Sequence, residues 1–423
     1  MTTPTATGCP AVAHYGEAPD YDRDDPFPLY ADLQAAGPVH DVTLADGHRA
    51  FLVVGYAAAR EALNHPDLSK DMHAALARDG AVVAEGLPGP DYARHMLSVD
   101  GPDHTRLRGL ASAAFTRRRV EALAPRIREI ATELLDELDA AATGGPEDLV
   151  AGYAAPLPFA VLGELLGLPR GDQRRLSGWF ATLLAPYPGG EPPAAAREAS
   201  DRVTGFLTDL VEERWDAPTP DLVGDLVVAC RDGRLDQAEL RSTLFQLVVA
   251  GHDTTTALIG NGVAALLAHP EQLGTLVRDP SRVPQAVEEL LRWDAPVHHS
   301  TLRWATRDVT VAGTLVPAGV QVIVSLAAAG RDPARNEDAG SLHLGRPGAH
   351  LAFGHGVHHC LGARLPRLEG DIALTALLTR FPGLRLAVPA DRLQWQHGDG
   401  LVLRGLSELP VLLREPSPLE TDA

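Results

Sequence analysis

Residues 237–269 carry the longest uninterrupted helical pattern in the chain. At 1.5 Å per residue the segment spans roughly 50 Å. It is apolar on most faces, so it has to run through the core rather than along the surface. A chain organised around such an element is a large, mainly helical unit. Yet its centre reads "AGHDTTTALIGNG", which puts Gly251, Asp253, Thr254 and Thr255 inside that core. Glycine costs about 1 kcal/mol there relative to alanine. Asp and Thr compete for backbone hydrogen bonds. Two readings follow. Either threonine bonds back to a carbonyl one turn earlier and bends the helix, or the helix opens locally and leaves polar groups facing a buried cavity.

The remainder of the chain suits a unit of this kind. Its 423 residues, 45% of them hydrophobic, suffice for a large core. Residues 1–20 read as a loose leader, 21–413 as a single domain and 414–423 as a loose tail. "DPFPLYADLQAAGPVH" predicts a short helix opened by Pro28 and closed at Gly37-Pro38. "VHDVTLADGHRAFLVV" predicts a β-hairpin turning at Asp46-Gly47. Helical periodicity then dominates to about residue 300, with further segments near 57–64, 103–112, 117–143, 157–167, 171–185, 194–215 and 282–293. After Arg303 the pattern becomes short strands, "DVTVAG", "TLVPAG" and "VQVIVSLAAA". One more helix follows Cys360, over about 361–380, and "LVLRGLSELPVLL" ends the chain as strand. The fold class is mainly α, with small β regions near 39–54, 304–328 and 393–413 packed beside the helices.

The net charge of −19 argues against general nucleic-acid binding, which needs a basic face. Lys70 is the only lysine. Cys9, Cys230 and Cys360 are odd in number and widely spaced, which points to a reducing cytoplasm and not to a disulfide framework. The first residues lack a basic region followed by an apolar run, and no stretch of ~20 apolar residues occurs. A soluble, monomeric protein is expected.

Four stretches carry possible chemistry. In "FGHGVHHCLG", residues 353–362, Cys360 stands among three glycines and three histidines. It could be half a disulfide, a zinc ligand, a nucleophile or the thiolate beneath a larger cofactor. In "EELLRW", Glu289 and Arg292 share a helix face. In "HTRLR", His104 and Arg108 are spaced so that both can reach one anionic group, although a surface cluster is the plainer reading. Arg303 stands where helix gives way to strand.

Taken together, "AGHDTT" at 250–255, "EELLR" at 288–292 and "FGHGVHHCLG" at 353–362 resemble the cytochrome P450 family, in its order and across essentially the whole chain. The similarity is to soluble actinobacterial members that oxidise macrolides and other secondary metabolites. It implies a haem-thiolate monooxygenase with the haem between the long central helix and the Cys360 loop. Cys360 would be the axial ligand of haem b, donating electron density to iron. Phe353, Gly354, Gly356 and Gly362 would shape the loop around it, and Ala250 and Gly251 would face the haem from the long helix, with a distortion at Gly251 making room for dioxygen. His104, Arg108, Arg303 and His358 match the propionate ligands. Asp253 and Thr254 match an acid–alcohol pair that relays the protons oxygen activation consumes. Glu289 and Arg292, with Arg346 as third member, match a buried structural ion pair.

The resemblance also implies electrons from NAD(P)H through ferredoxin reductase and a ferredoxin. Arg106, Arg117, Arg118, Arg119, Arg364 and Arg367 form a candidate basic patch for an acidic ferredoxin on the Cys360 side. By family position a lipophilic substrate would be lined by the loop 86–99 with Met96 and Leu97, by Leu247 and Ala250, by Val297, Ser300 and Leu302, and by Leu401, with "PYPGGEPP" at 186–193 in a mobile lid. That lining does not separate a macrolide from a steroid or terpenoid, nor hydroxylation from epoxidation. Two features depart from expectation. Asn336 and Ala339 stand where the family often has an aromatic residue and a proline, and Pro366 should kink the helix after Cys360. A zinc site at His355, His358, His359 and Cys360 lacks a second Cys/His cluster. A non-catalytic haem sensor would not need Asp253 and Thr254.

Overall fold

The computed structural model describes residues 22, 24–44, 47–71, 92, 94–183, 192–346, 348–396 and 402–414. The long helix runs unbroken from Gln237 to Ala268. It starts at a reciprocal cap: the Asp236 carboxylate accepts from the Glu239 amide at 2.7 Å, and the Glu239 carboxylate accepts from the Asp236 amide at 3.2 Å. It stops at His269, before Pro270. At its centre Thr254 Oγ1 donates to the Ala250 carbonyl at 2.8 Å and Thr255 Oγ1 to the Gly251 carbonyl at 3.4 Å. The polar residues are thus taken up by back-bonding within a continuous helix, which corrects the expected opening at Gly251. Gly251 lies against Leu162, where a Cβ would make ordinary contact at 3.5 Å.

Helices Pro156–Leu166, Val283–Trp293 and Arg364–Arg380 pack directly on this axis, and Ala124–Ala141 packs on the last of them. A single apolar core joins residues from all of these, such as Ile127, Leu157, Ile259, Leu290 and Leu377. Beside the helices, among the described residues, lie ten short strands: β1 (Val39–Thr43), β2 (Arg49–Val53), β3 (Leu68–Ser69), β4 (Glu147–Asp148), β5 (Arg303–Ala305), β6 (Val309–Val311), β7 (Thr314–Val316), β8 (Gln321–Val324), β9 (Arg385–Leu386) and β10 (Pro410–Leu412). They form a five-stranded sheet in the order β1-β2-β8-β5-β3, a three-stranded sheet β4-β10-β9 and the hairpin β6-β7. The larger sheet sets Arg303, which pairs in register with Val322, under the site described below.

Several elements differ from the pattern reading. The stretch 117–143 is two helices, Arg117–Ala122 and Ala124–Ala141, divided at Leu123 ahead of Pro125. Two short helices are additional to the pattern reading: Leu222–Arg231, capped by Asp221, and Pro270–Arg278, opened by its proline and amphipathic in sequence. The end of "VQVIVSLAAA" is the short helix Leu326–Gly330, capped by the Ser325 hydroxyl at 3.2 Å from the Ala328 amide. Pro366 does not kink its helix. That helix starts at Arg364, so Pro366 falls in the first turn, where its missing N–H would have had no intrahelical partner. The leader, the tail, Asp46, residues 86–91, most of 186–193 and Leu401 lie outside the described residues.

Candidate functional site

The loop before helix Arg364–Arg380 is folded by its own backbone. The Gly354 amide donates to the Leu351 carbonyl at 2.7 Å, the Cys360 amide to the Phe353 carbonyl at 2.8 Å and the His359 amide to the Gly356 carbonyl at 3.0 Å. Two of the three glycines are required by conformation. Gly354 and Gly356 have φ of 72° and 76°. At Gly356 a Cβ would also come within 2.8 Å of Asn64 Oδ1 and 3.0 Å of the Leu63 carbonyl, so the loop is pressed against helix Tyr56–Asn64. Gly362 differs: its φ is not left-handed, and a Cβ there would merely touch Phe115 at 3.5 Å. Arg367 stacks over the half-buried Phe353 at 4.3 Å.

Cys360 is exposed as a residue, yet burial pushes its thiol up. Both hold because the side chain opens onto enclosed space and not onto bulk water. The backbone amides of Gly362 and Ala363 and the guanidinium groups of Arg108 and Arg367 pull the thiol back towards the anion. The helix N-terminus behind it acts in the same direction.

Beside the loop lies a buried cluster of basic side chains around one carboxylate. His104 and His358 face each other with ring centroids 4.2 Å apart. His358 Nε2 donates to Asp100 Oδ1 at 2.9 Å, while Asp100 Oδ2 accepts from the Ser69 hydroxyl and the Lys70 amide at 2.6 and 2.7 Å. Burial pushes the Asp100 carboxyl up, but these bonds outweigh it and keep it ionised. Arg303 and Lys70 are both buried. Burial pushes Arg303 down to about 10; burial, reinforced by Arg303, pushes Lys70 down to about 7. His104 is pushed down to about 4, by burial first and then by His358 and Arg108. Three buried atoms here have no hydrogen-bond partner: His104 Nε2, His358 Nδ1 and Arg303 Nε. Arg108, whose charge acts on His104, donates to the His359 carbonyl at 2.7 Å. Asp100 and Lys70 were not singled out as site residues by pattern; the lone lysine of the chain was the available signal.

On the long helix, Ala250 is exposed although the helix is otherwise enclosed along most of its length, so this face also looks into the enclosed space. Next to it, His252 Nδ1 is 2.8 Å from Asp253 Oδ1, and its Nε2 is 3.2 Å from the Ala155 carbonyl. Asp253 and Thr254 are half-buried.

Comparison with known proteins gives the arrangement a family. Residues 282–389, which hold the Glu289–Arg292 pair and the Cys360 loop, match the family model "Cytochrome P450". The chain is 42% identical over 392 residues to the vitamin D(3) 25-hydroxylase of Pseudonocardia autotrophica, covering 92% of this chain and 94% of the relative. It is 42% identical over 390 residues to the mycinamicin IV hydroxylase/epoxidase of Micromonospora griseorubida, covering 90% and 94%. The solved structure of the tirandamycin C-bound P450 monooxygenase TamI superposes with a TM-score of 0.82 at 40% identity, covering 92% of this chain and 97% of that one. The chain belongs to the cytochrome P450 family.

Cytochromes P450 hold haem through a cysteine thiolate, and the residues present fit that group. Cys360 offers a sulfur open to the enclosed space, and the buried Arg303 guanidinium with its unpartnered Nε, beside the unpartnered imidazole nitrogen of His104, can donate to an anion that Asp100 alone does not provide. Haem propionates are such anions. Away from this cluster, Glu289, Arg292 and Arg346 meet. Arg292 grips the Glu289 carboxylate with two bonds of 2.7 and 2.8 Å, and Arg346 Nε reaches it at 3.3 Å. Arg292 also binds the carbonyls of Gly330, Ala339 and Ser341, so this ion pair ties the segment carrying Ala339 to helix Val283–Trp293.

The basic patch of this P450 is smaller than its arginine count suggests. Arg106 pairs with Glu239 and Asp103, Arg117 with Glu121, Arg119 with Asp225 and Arg367 with Glu288. Among the described residues only Arg118 and Arg364 of the six lack a carboxylate partner. Of the expected pocket lining, Met96, Leu247 and Ser300 are buried and Leu97 and Val297 half-buried. Val297 bridges to Leu403, and Leu302 packs against the separate cluster of Leu29, Leu33 and Val54.

Proposed function

We propose that this P450 monooxygenase inserts one atom of dioxygen into a C–H or C=C bond of a bulky lipophilic secondary metabolite of the macrolide or polyketide type. Its electrons come one at a time from NAD(P)H through ferredoxin reductase and a ferredoxin docked on the Cys360 side, and it works as a cytoplasmic monomer. The observation that carries the reading is the pairing of an enclosed, amide-supported Cys360 with a buried basic cluster, His104, His358 and Arg303, whose nitrogens are not all partnered among the described residues. Similarity to relatives named for mycinamicin IV and tirandamycin C supports the substrate class. Similarity to a vitamin D(3) hydroxylase supports a second reading, a steroid- or terpenoid-like substrate.

Bound haem supplies the activation of dioxygen by two electrons. The chain's own residues do the rest. Cys360 holds the iron as a thiolate, and the Gly362 and Ala363 amides set how much charge it keeps. His104, His358 and Arg303 orient the group by its propionates. Asp253, at 2.8 Å from His252, is the acid of the proton relay, and the Thr254 hydroxyl one residue on, donating to the Ala250 carbonyl, presents its oxygen as an acceptor.

The test is spectral. The reduced, CO-bound protein is expected to show the red-shifted Soret band of thiolate haem, and Cys360→Ser to lose it; retention of the band in that variant would overturn the ligand assignment. Shifts of the ferric spectrum across macrolides, steroids and terpenoids then separate the two substrate readings.

A further inference from the structure

Lys70 is the only lysine of the chain, and it is buried at 5% exposure. Lysine is almost never enclosed unless its charge is paired. It follows β3, which runs antiparallel to β5 with Leu68 opposite Ala305 and Ser69 opposite Trp304. One step further along that register stands Arg303, which is buried too. The two cations act on one another: burial first, and then Arg303, push Lys70 down to about 7. Like charges opposite each other on neighbouring strands repel. An enclosed pair of this kind is costly unless an anion joins it.

The charge of Asp100 favours the Lys70 ammonium, yet its oxygens are spent elsewhere. Oδ2 takes the Ser69 hydroxyl and the Lys70 backbone amide, and Oδ1 takes His358 Nε2. Asp100 therefore holds the backbone at Lys70 and not the side chain. Among the described residues, Lys70 Nζ has no hydrogen bond and no carboxylate within ion-pair distance. It is also absent from the unpartnered atoms that are sealed from open space, so the amine keeps accessible surface although the residue is buried. His95, His104 and His358 complete the surroundings, and the charge of Lys70 acts on all three. Burial pushes each of them down first of all, so at neutral pH they leave the charge to Lys70 and the arginines.

We infer that Lys70 is a further binding residue for the haem propionates and that it gains a proton when the group is loaded. This rests on the haem-monooxygenase reading above and adds to it. The charges balance only in that state. Ferric iron, the porphyrin ring and the Cys360 thiolate cancel among themselves. Asp100 and the two propionates then stand against Arg108, Arg303 and a protonated Lys70. With Lys70 neutral, one carboxylate is left without a cation. Solvent supplies the proton, it ends on Nζ, and no electron moves. The direction of the pH dependence follows. In the haem-free chain the amine is already losing its proton near pH 7. A propionate favours the charged form and raises the pH at which that proton leaves. Haem is therefore held most tightly below about pH 7, and the contribution of Lys70 is lost as pH rises.

Haem transfer tests this without the substrate. The haem-loaded full chain is mixed with apomyoglobin, and the equilibrium partition of haem is read from the Soret bands at pH 6.5 and pH 9. The parent, Lys70→Met and Lys70→Arg are compared at each pH, so that the response of apomyoglobin itself cancels. At pH 6.5 the parent is expected to hold haem about tenfold more tightly than Lys70→Met, the equivalent of one charge-assisted hydrogen bond. At pH 9 that advantage should shrink to within about twofold. Lys70→Arg stays charged throughout and should keep its advantage over Lys70→Met at both values. Equal partition for the parent and Lys70→Met at pH 6.5 would overturn the inference, as would an advantage unchanged at pH 9. If Lys70→Met holds no haem, the parent is compared with Lys70→Arg alone. Their ratio should then fall about tenfold from pH 6.5 to pH 9, and a constant ratio overturns the inference equally. A missing thiolate-haem band in the reduced CO complex of the parent would instead remove the reading beneath it.

Discussion

Glu369 is the most exposed of this structure's electrostatic arrangements to a direct test. It sits on helix Arg364–Arg380 with 1% of its surface accessible, and its Oε2 has no partner. Burial pushes its carboxyl up to about 8, countered only by the hydroxyl of Thr255 on the long helix. The folded protein therefore keeps Glu369 protonated at neutral pH, while the unfolded chain ionises near the usual 4.5. Between those values the folded state holds more protons than the unfolded state. Stability is then fully present below pH 4.5 and is lost as pH rises towards 8. With 1.36 kcal/mol per unit, the loss from pH 5 to pH 7.5 is about 3 kcal/mol. Glu369→Gln keeps the shape and the polar contact but cannot ionise. The difference in unfolding free energy between the variant and the parent, from urea titrations at both pH values, isolates this group from every other titration. The variant should gain about 3 kcal/mol on the parent between pH 5 and pH 7.5. Two parallel stability–pH curves would refute the reasoning, because Glu369 would then ionise in the folded state as easily as in the unfolded one.

Other outcomes follow from the same structure. Thr254→Ala should leave the thiolate-haem band intact but uncouple electron use from product, read as peroxide released per NAD(P)H consumed. Glu289→Gln breaks a bidentate pair in which both side chains are buried and should cost about 3–5 kcal/mol, measured as lost stability with little change in the spectrum of the folded fraction. Gly356→Ala forces a left-handed alanine against Asn64 and the Leu63 carbonyl and should cost at least about 1 kcal/mol, seen as a lower unfolding midpoint and weaker haem retention. Arg118→Glu with Arg364→Glu should slow reduction by ferredoxin and flatten its dependence on ionic strength, whereas Arg117→Glu, whose partner is Glu121, should change it little.

What was legible in the sequence was local or periodic. The long helix shows itself by its length and by the Asp236–Glu239 cap; the hairpin β1-β2 by alternation around a turn. The break at Leu123 was legible in principle, since Pro125 stands there, but the apolar period continues through it. The links that build the site are neither local nor periodic. His358 meets Asp100 across 258 positions, and Asp100 in turn fixes the Lys70 segment. Glu369 looks like an ordinary polar position on an amphipathic helix, and only the packing of that helix on the long one encloses it. The arginine patch misled for the opposite reason: composition displays the cations, while their carboxylate partners come from distant segments such as Asp225 and Glu288.

Buried polarity in this fold divides by whether it is satisfied. Arg292 spends its donors on Glu289 and three carbonyls and asks nothing of a ligand. That is the signature of a structural clamp. Unpaired atoms of His104, His358 and Arg303 collect beside the Cys360 loop, while others, among them those of Thr256, Asn261, Gln321 and Glu369, are scattered through the fold. Arg404 tests the distinction, since its Nε and Nη1 also lack hydrogen bonds. Its guanidinium, however, lies 3.1 Å over the Trp395 ring and 3.6 Å from Asp294, so its charge is balanced without a ligand. The Arg303 guanidinium beside the Cys360 loop has no such substitute, so the same accounting that leaves Arg292 and Arg404 complete without a ligand leaves Arg303 ready for the anionic edge of a haem.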